Sequence, residues 1–545
     1  MKLFPILFFA SFFLKSEPTP VDMLVLNAKI YTVDSAFTIV EAMAIDKGKI
    51  VETGSSSHIS TKYSSKNIVD AKGAFIYPGF IDAHAHFYGY ALGLNTVNLT
   101  ETNSWEAVLA RLKKFANENK PKGWILGRGW DQNDWAVKEF PTKEKLDQLF
   151  PNQPVLLIRI DGHAAIANQN ALDLAGVRAG DTLRGGIIET KNGKLTGVLI
   201  DNAVDLVSSS IPAPAPAEIV SLLKKAQQNC FEVGLTTVDD CGIDYTHALF
   251  MDSLQKADIL KMRIYAMLSD AKRNYDFLFA NGKIKTDRMH VRSFKIYGDG
   301  ALGSRGACLL SPYHDQKEWH GFLLNTLQHF DSVASVLANS EFQMCTHAIG
   351  DSANRSILNI YAKYLNDKND RRWRIEHAQV VHPSDFASFG QYNIIPSVQP
   401  THATSDMYWA GERLGSEREN HAYAYKKLME QNGWIPLGTD FPVEHISPFK
   451  TFYAAVFRID AKGFPQGGYQ KENALNVEDV LRGMTIWAAR ANFEEDEKGS
   501  LEKGKLADFV ILPKDLLKCS PQEILSMKVL ATYVGGEKVY ERKLK

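Results

Sequence analysis

The sequence predicts a (β/α)8 TIM barrel, interrupted after its first strand and joined to a composite β-sandwich built from both termini. Three observations predict it. Apolar, β-branched runs recur between stretches of helix-like text from residue 80 to residue 440. Turn-rich β text stands near each end of the chain, too short at either end to bury itself. A long gap, residues 88 to 233, separates the first barrel run from the second and carries strand text of its own.

Taken in order, the chain starts with Met1-Lys2 and a 12-residue apolar run, Leu3 to Leu14. One positive charge before a run of this length is the pattern of a secretory signal, and the run is too short to span a bilayer. Residues 1–19 are expected to be a signal peptide and the protein to be exported, although no clean small-x-small cleavage site follows Leu14. No later segment is long and apolar enough to predict a membrane span in the mature chain.

From Met23 the runs Met23 to Val33, Ala42 to Ile45, Lys49 to Glu52 and Asn67 to Asp70 are parted by Asp-Lys-Gly, Gly-Ser-Ser-Ser and Lys-Gly turns. They read as a small antiparallel sheet. Its missing partners are Gly499 to Leu512, a turn entering a strand, and Val529 to Tyr540, a hairpin. Residues 22–78 and 493–545 are therefore expected to form one sandwich.

Residues 79–492 form the inserted barrel. Its eight runs are Phe80 to His86, Gly234 to Val238, Met262 to Leu268, Arg292 to Tyr297, Phe342 to His347, Trp373 to His377, Ile394 to Val398 and Ile435 to Asp440. Helical text such as Ala217 to Glu232, Asp331 to Ala338 and Glu478 to Ala489 lies between or after them. Strand–helix alternation implies a parallel sheet, and eight strands suggest a closed barrel. The insertion, 88–233, holds two strand-like runs, Trp124 to Gly127 and Val155 to Arg159, and would sit over the barrel mouth.

Composition narrows the function. Lys plus Arg number 62 against 63 for Asp plus Glu, so there is no basic surplus for nucleic acid. Cys230, Cys241, Cys308, Cys345 and Cys519 show no regular spacing and read as buried small residues rather than as disulfides or a zinc knuckle. A small-molecule substrate is expected, and a homo-oligomer stays open.

The chemistry collects at strand ends. Pro78-Gly79 breaks the chain, a fresh strand starts at Phe80, and His84 and His86 leave one face of its end. Five predicted strands finish in such residues: His84 and His86, Lys295, His347, His377 and Asp440. In a barrel these ends converge on one face, so residues hundreds of positions apart meet. Imidazole nitrogen and carboxylate oxygen suit zinc, manganese or iron, which acidify bound water. Asp440 is the candidate to take the proton of that water and pass it to a leaving group. Lys295 fits poorly as it stands, because an ammonium cannot ligate a cation.

Pro78-Gly79-Phe80-Ile81-Asp82-Ala83-His84-Ala85-His86 resembles the signature of the amidohydrolase superfamily. Lys295 to Arg305, Thr346 to Asp351, Arg374 to His377, Gly438 to Asp440 and the closing Gly504 to Asp508 narrow the resemblance to the amidohydrolase-3 branch, which includes the N-substituted formamide deformylases. It runs from about residue 23 to residue 540. The resemblance implies one or two divalent metals, usually zinc, held by His84 and His86 on one side and His347 and His377 on the other. It also implies a CO2-derived carbamate on Lys295, which turns the ammonium into a carboxylate-like ligand.

The expected reaction is hydrolysis of a non-peptide carbon–nitrogen bond, an amide or formamide of a small organic molecule. A deaminase of a heterocyclic amine is the alternative within the superfamily, and a non-catalytic scaffold the remote one; no expected ligand is missing, which argues against a scaffold. Candidate substrate contacts are Trp130 as an apolar wall, Arg128 and His163 to orient a carbonyl, and Arg305 and His402 beside barrel strand ends. Gly298-Asp299-Gly300-Ala301-Leu302-Gly303 fits G-x-G-x-x-G, but poor helix text follows, so it reads as a flexible pocket loop rather than a dinucleotide turn. His58, His247, His290 and His329 are expected to be solvated.

Overall fold

The computed structural model describes residues 17–543, so most of the expected signal segment lies outside the described residues. Seven parallel strands follow one another around the barrel: β1 Phe80–Ala85, β2 Leu235–Ile243, β3 Arg263–Ser269, β4 Met289–Tyr297, β5 Gln343–Ala348, β6 Arg374–His377 and β7 Ile395–Ser397. Nearly every residue in them is buried, because the barrel interior covers one face and helices the other.

The eighth run, Ile435 to Asp440, closes the ring without becoming a regular strand. Gly438 N–H donates to Val398 O at 3.0 Å, Ala83 N–H to Leu437 O at 3.2 Å and Asp440 N–H to His84 O at 2.8 Å. Pro436 has no N–H to give, and Asp440 sits at φ 63°. Gly438 is required here: a Cβ would lie 2.6 Å from His84 N and 2.9 Å from Asp82 Oδ1. The chain is thus pulled tight against β1 where the histidines stand.

The end strands form two sheets, not one antiparallel sheet. One orders Lys49–Gly54, Ala42–Asp46, Met23–Leu26 and Ile68–Asp70; the other orders Glu537–Glu541, Ala531–Val534, Phe509–Leu512, Phe75–Pro78, Lys29–Tyr31 and Ile39–Val40. The pairs Met23–Leu26 with Ile68–Asp70 and Lys29–Tyr31 with Phe75–Pro78 are parallel. Each pair is joined by a crossover long enough to carry the chain back, as parallel pairing demands. Met23, Val25, Ile30, Met43, Ile76, Phe509, Ile511 and Tyr533 share one core. Asp508 grips the barrel, accepting from Arg263 Nε at 2.6 Å and Nη2 at 3.0 Å.

The insertion is larger than its two expected strands. It forms a six-stranded sheet in the order Val97–Asn98, Ile125–Trp130, Val155–Arg159, Ala164–Ala167, Lys194–Asp201 and Gly186–Lys191. Its missed strands are short or polar and lack a clean alternation. The helical stretch Glu478 to Ala489 is also two helices, Val477–Gly483 and Ile486–Ala491, broken at Thr485 (φ −141°, ψ −98°).

Two charged clusters stiffen the barrel. Inside it, Arg374 Nη1 donates to Asp239 Oδ2 at 2.9 Å, Arg374 also bonds Asn492, and Asn492 Nδ2 donates to Asp239 Oδ1 at 2.6 Å. At the N-terminal end of the strands, Glu494 pairs with Lys285 at 2.5 Å, Lys498 at 2.6 Å and His290 at 3.2 Å. His290 is therefore buried, not solvated as expected: β4 begins at Met289, three residues before the predicted run, and takes His290 into the barrel. Burial works against the Glu494 carboxylate, but the Lys498 and Lys285 charges and the His290 hydrogen bond outweigh it and hold its pKa well below the usual range. A depressed pKa contributes stability that is present above the unfolded-state value and lost as pH falls. The variant E494Q is expected to be less stable at neutral pH and to lose less on acidification than wild type; thermal melts from pH 7 down to about pH 2, through the range below the unfolded-state glutamate value of about 4.3, check this, and parallel pH curves would remove Glu494 from the acid response.

Candidate active site

His84, His377 and Asp440 converge at the C-terminal end of the barrel, each offering one ligand atom within 4.8 Å of the others. They come from β1, the end of β6 and the end of the closing run. His377 and Asp440 both have left-handed backbone, φ 73° and 63°, which turns the side chains off the strands and inward. Such conformations cost non-glycine residues about 1–3 kcal/mol and persist where the surroundings enforce them.

Each donor is oriented from behind. His84 Nδ1 lies 2.6 Å from Glu376 Oε2, which leaves Nε2 facing the centre. Burial and the Lys295 charge outweigh Glu376 and bring the His84 pKa down to about 4. His86 Nδ1–H donates to Cys241 O at 2.9 Å, so its Nε2 points toward Asp440 Oδ1, 3.2 Å away. His377 Nδ1 is buried without a hydrogen-bond partner, and burial beside the His347 and His84 imidazoles pushes its pKa well below the ordinary value, so that imidazole is neutral. Asp440 Oδ2 lies 3.1 Å from His402 Nε2, whereas Oδ1 lacks an aligned hydrogen bond. Burial opposes ionisation of Asp440, but His402, His86 and the nearby imidazoles hold its carboxyl well below the usual carboxylate range.

This donor set fits a divalent metal. It combines neutral imidazoles, an ionised carboxylate and two buried polar atoms with no partner of their own. Lys295 borders it, fully buried, with Nζ 3.0 Å from His84 Nε2; among the described residues no carboxylate pairs with it. His347 lies beside His377, ring centroids 4.6 Å apart, but outside the tight trio.

The centre floors a cavity of about 620 Å³ roofed by the insertion. His163, Arg128 and His402 line it. Trp130 does not. It is a core aromatic of the insertion, with its Nε1–H donated to Leu157 O at 2.9 Å and Trp135 packed 6.0 Å away. In a regular strand it would share a face with Arg128; a bulge between the two, with Gly129 at φ 110°, breaks the alternation and turns Trp130 into the core. Arg305 also misses the cavity lining: its guanidinium is engaged by Asp315 at 2.8 Å. The Gly298 to Gly303 loop lines the cavity but is anchored, because Asp299 accepts backbone N–H groups from Ile349, Gly350 and Cys308 at 2.8–2.9 Å.

Sequence reading missed the supporting carboxylates Glu376 and Asp201. Asp201 accepts from His163 Nδ1 at 2.6 Å. Both stand at the end of apolar strand text, which was a usable signal: a lone carboxylate there has to meet a partner.

The comparisons with known proteins agree with this geometry. The amidohydrolase family model matches residues 67–540. Protein LONG AFTER FAR-RED 3 of Arabidopsis thaliana is 33% identical over 95% of this chain and 91% of its own length. The N-substituted formamide deformylase of Arthrobacter pascens is 26% identical over 96% and 98%. A crystal structure of a metal-dependent hydrolase from Pyrococcus horikoshii superposes with a TM-score of 0.75 at 27% identity, covering 92% of this chain and 99% of that one. The chain belongs to the amidohydrolase family, within the metal-dependent amidohydrolase superfamily.

Proposed function

We propose that this protein hydrolyses a non-peptide carbon–nitrogen bond, an amide or formamide of a small organic substrate. The observation that carries this is the convergence of His84, His377 and Asp440, the last two of which line the floor of the cavity. Likeness to a formamide deformylase along nearly the whole chain supports it. In this reading His84, His86, His347, His377, Asp440 and a carbamylated Lys295 hold one or two divalent ions, zinc being the proposed metal. A divalent metal in such a site supplies Lewis acidity, acidifying water and polarising a carbonyl.

The protein's own groups do the rest. Asp440 accepts the proton of the attacking water and returns it to the departing nitrogen, so a carbon–oxygen bond forms, the carbon–nitrogen bond breaks, and an acid and an amine result. His402, bonded to Asp440 Oδ2, fixes the carboxylate. His163, engaged at Nδ1 by Asp201, orients the carbonyl from the insertion side.

The test is formate and amine release from a panel of N-substituted formamides, with metal content measured on the same preparation. Turnover with one or two ions per chain is expected. In K295M, metal per chain should fall and bicarbonate should not restore it. Ammonia release from heterocyclic amines without formamide turnover would instead favour the deaminase reading; a metal-free, inactive wild type after reconstitution would sink both.

A further inference from the structure

Among the described residues, Arg128 is the odd arginine. The deeply buried arginines have carboxylate or aromatic company: Arg159 bonds Asp131 and Asp161, Arg263 Asp508, Arg374 Asp239, Arg413 Asp315, and Arg458 lies against Tyr425 and Tyr469, whereas Arg128 is only partly buried. Arg128 lines the cavity and makes one hydrogen bond, Nη2–H to Ile160 O at 3.1 Å. Its Nε is buried without a partner, and among the described residues no carboxylate pairs with its guanidinium. Burial pushes its pKa below the usual arginine range.

The neighbouring acids are committed elsewhere. Asp161 and Asp131 share Arg159, Asp406 accepts from Tyr423 at 2.8 Å, Glu444 accepts from Ser405 at 2.5 Å, and Asp440 belongs to the metal-fitting trio. The backbone makes room for the guanidinium: Gly162, at φ 78°, would bring a Cβ within 3.2 Å of Arg128 Nη2. On the adjoining strand, Asn98 sits in register with Arg128 and also lines the cavity. A partly buried guanidinium whose Nε is shut off from water and unpartnered is costly unless a ligand pairs with it.

We propose that Arg128 is a specificity-determining residue that binds a carboxylate on the substrate, in the cavity that holds the metal-fitting trio. The substrate class is then an N-acylated or N-formylated amine that carries a carboxylate, such as an N-acyl amino acid. This rests on the amide-hydrolase reading for which bond is broken, but not for what Arg128 binds. Planar guanidinium suits carboxylate through two parallel hydrogen bonds, which lysine cannot reproduce.

The test is calorimetric binding of N-formylphenylalanine and of its neutral carboxamide to the metal-loaded protein. Wild type should bind the carboxylate at least about tenfold more tightly, the scale of a charged hydrogen bond. In R128M that preference should shrink to about threefold or less, and R128K should keep part of it. Without ligand, R128M should melt no lower than wild type, since it removes an unpaired charge rather than a structural bond. Equal binding of the two compounds by wild type, no binding of either, or an unchanged preference in R128M overturns the proposal. Hydrolysis is followed separately: preferential binding without hydrolysis would sink the reaction and keep the subsite, whereas hydrolysis without preference would do the reverse.

Discussion

Replacing Asp440 by asparagine should lower turnover by about 10²–10⁴-fold, the range general acid–base groups contribute. The amide keeps the size and much of the polarity of the carboxylate but cannot take a proton from water. It also cannot match the charge that now keeps His402 protonated well above its ordinary pKa, where Asp440 and Glu444 outweigh burial. The measurement is kcat on the best formamide substrate, paired with metal per chain, because Asp440 is also a candidate ligand. Loss of turnover with metal retained assigns the proton transfer to Asp440. Loss of both makes it chiefly a ligand. Full turnover with metal bound would take it out of the mechanism.

The largest stability effect is expected from Arg374. It is fully buried inside the barrel, bonded to Asp239 and Asn492 and 3.3 Å from Ala83 O. R374M should destabilise the protein by about 3–5 kcal/mol, because Asp239 is left as a buried carboxylate without its counter-ion. Adding D239L should recover much of that loss, since an apolar pair needs no compensation. Thermal melts of the two variants decide it. If R374M alone melts with wild type, the pair is not what braces the barrel; if the double variant is no better than the single one, packing rather than charge is at fault.

The parts of the fold legible in the sequence are those with a strong local period. Seven barrel strands lie where apolar β-branched runs stand, since burial on both faces leaves little else in those positions. The closing run was legible by composition but not by geometry: Pro436, Gly438 and a left-handed Asp440 make it a tight seam rather than a ladder. The trio His84, His377 and Asp440 could be read because barrel topology alone brings strand ends together. The walls of the cavity could not. Trp130 and Arg128 are two residues apart in one strand, yet one packs into the insertion core and the other lines the cavity. Residues two apart share a face in a regular strand; the bulge at Gly129, φ 110°, separates these two, and no local period announces it.

The strand Phe75–Pro78 lies between Lys29–Tyr31 and Phe509–Leu512. One neighbour is synthesised just before it; the other leaves the ribosome only after the whole barrel has been made. At roughly 5–20 residues per second, the strand waits on the order of tens of seconds with one edge open. An open, apolar edge is a template for pairing with other chains. The nascent protein therefore carries its aggregation hazard at its beginning and the remedy at its end. A stop codon just before Phe509 would spare all of the candidate metal ligands and still leave that early strand unpartnered.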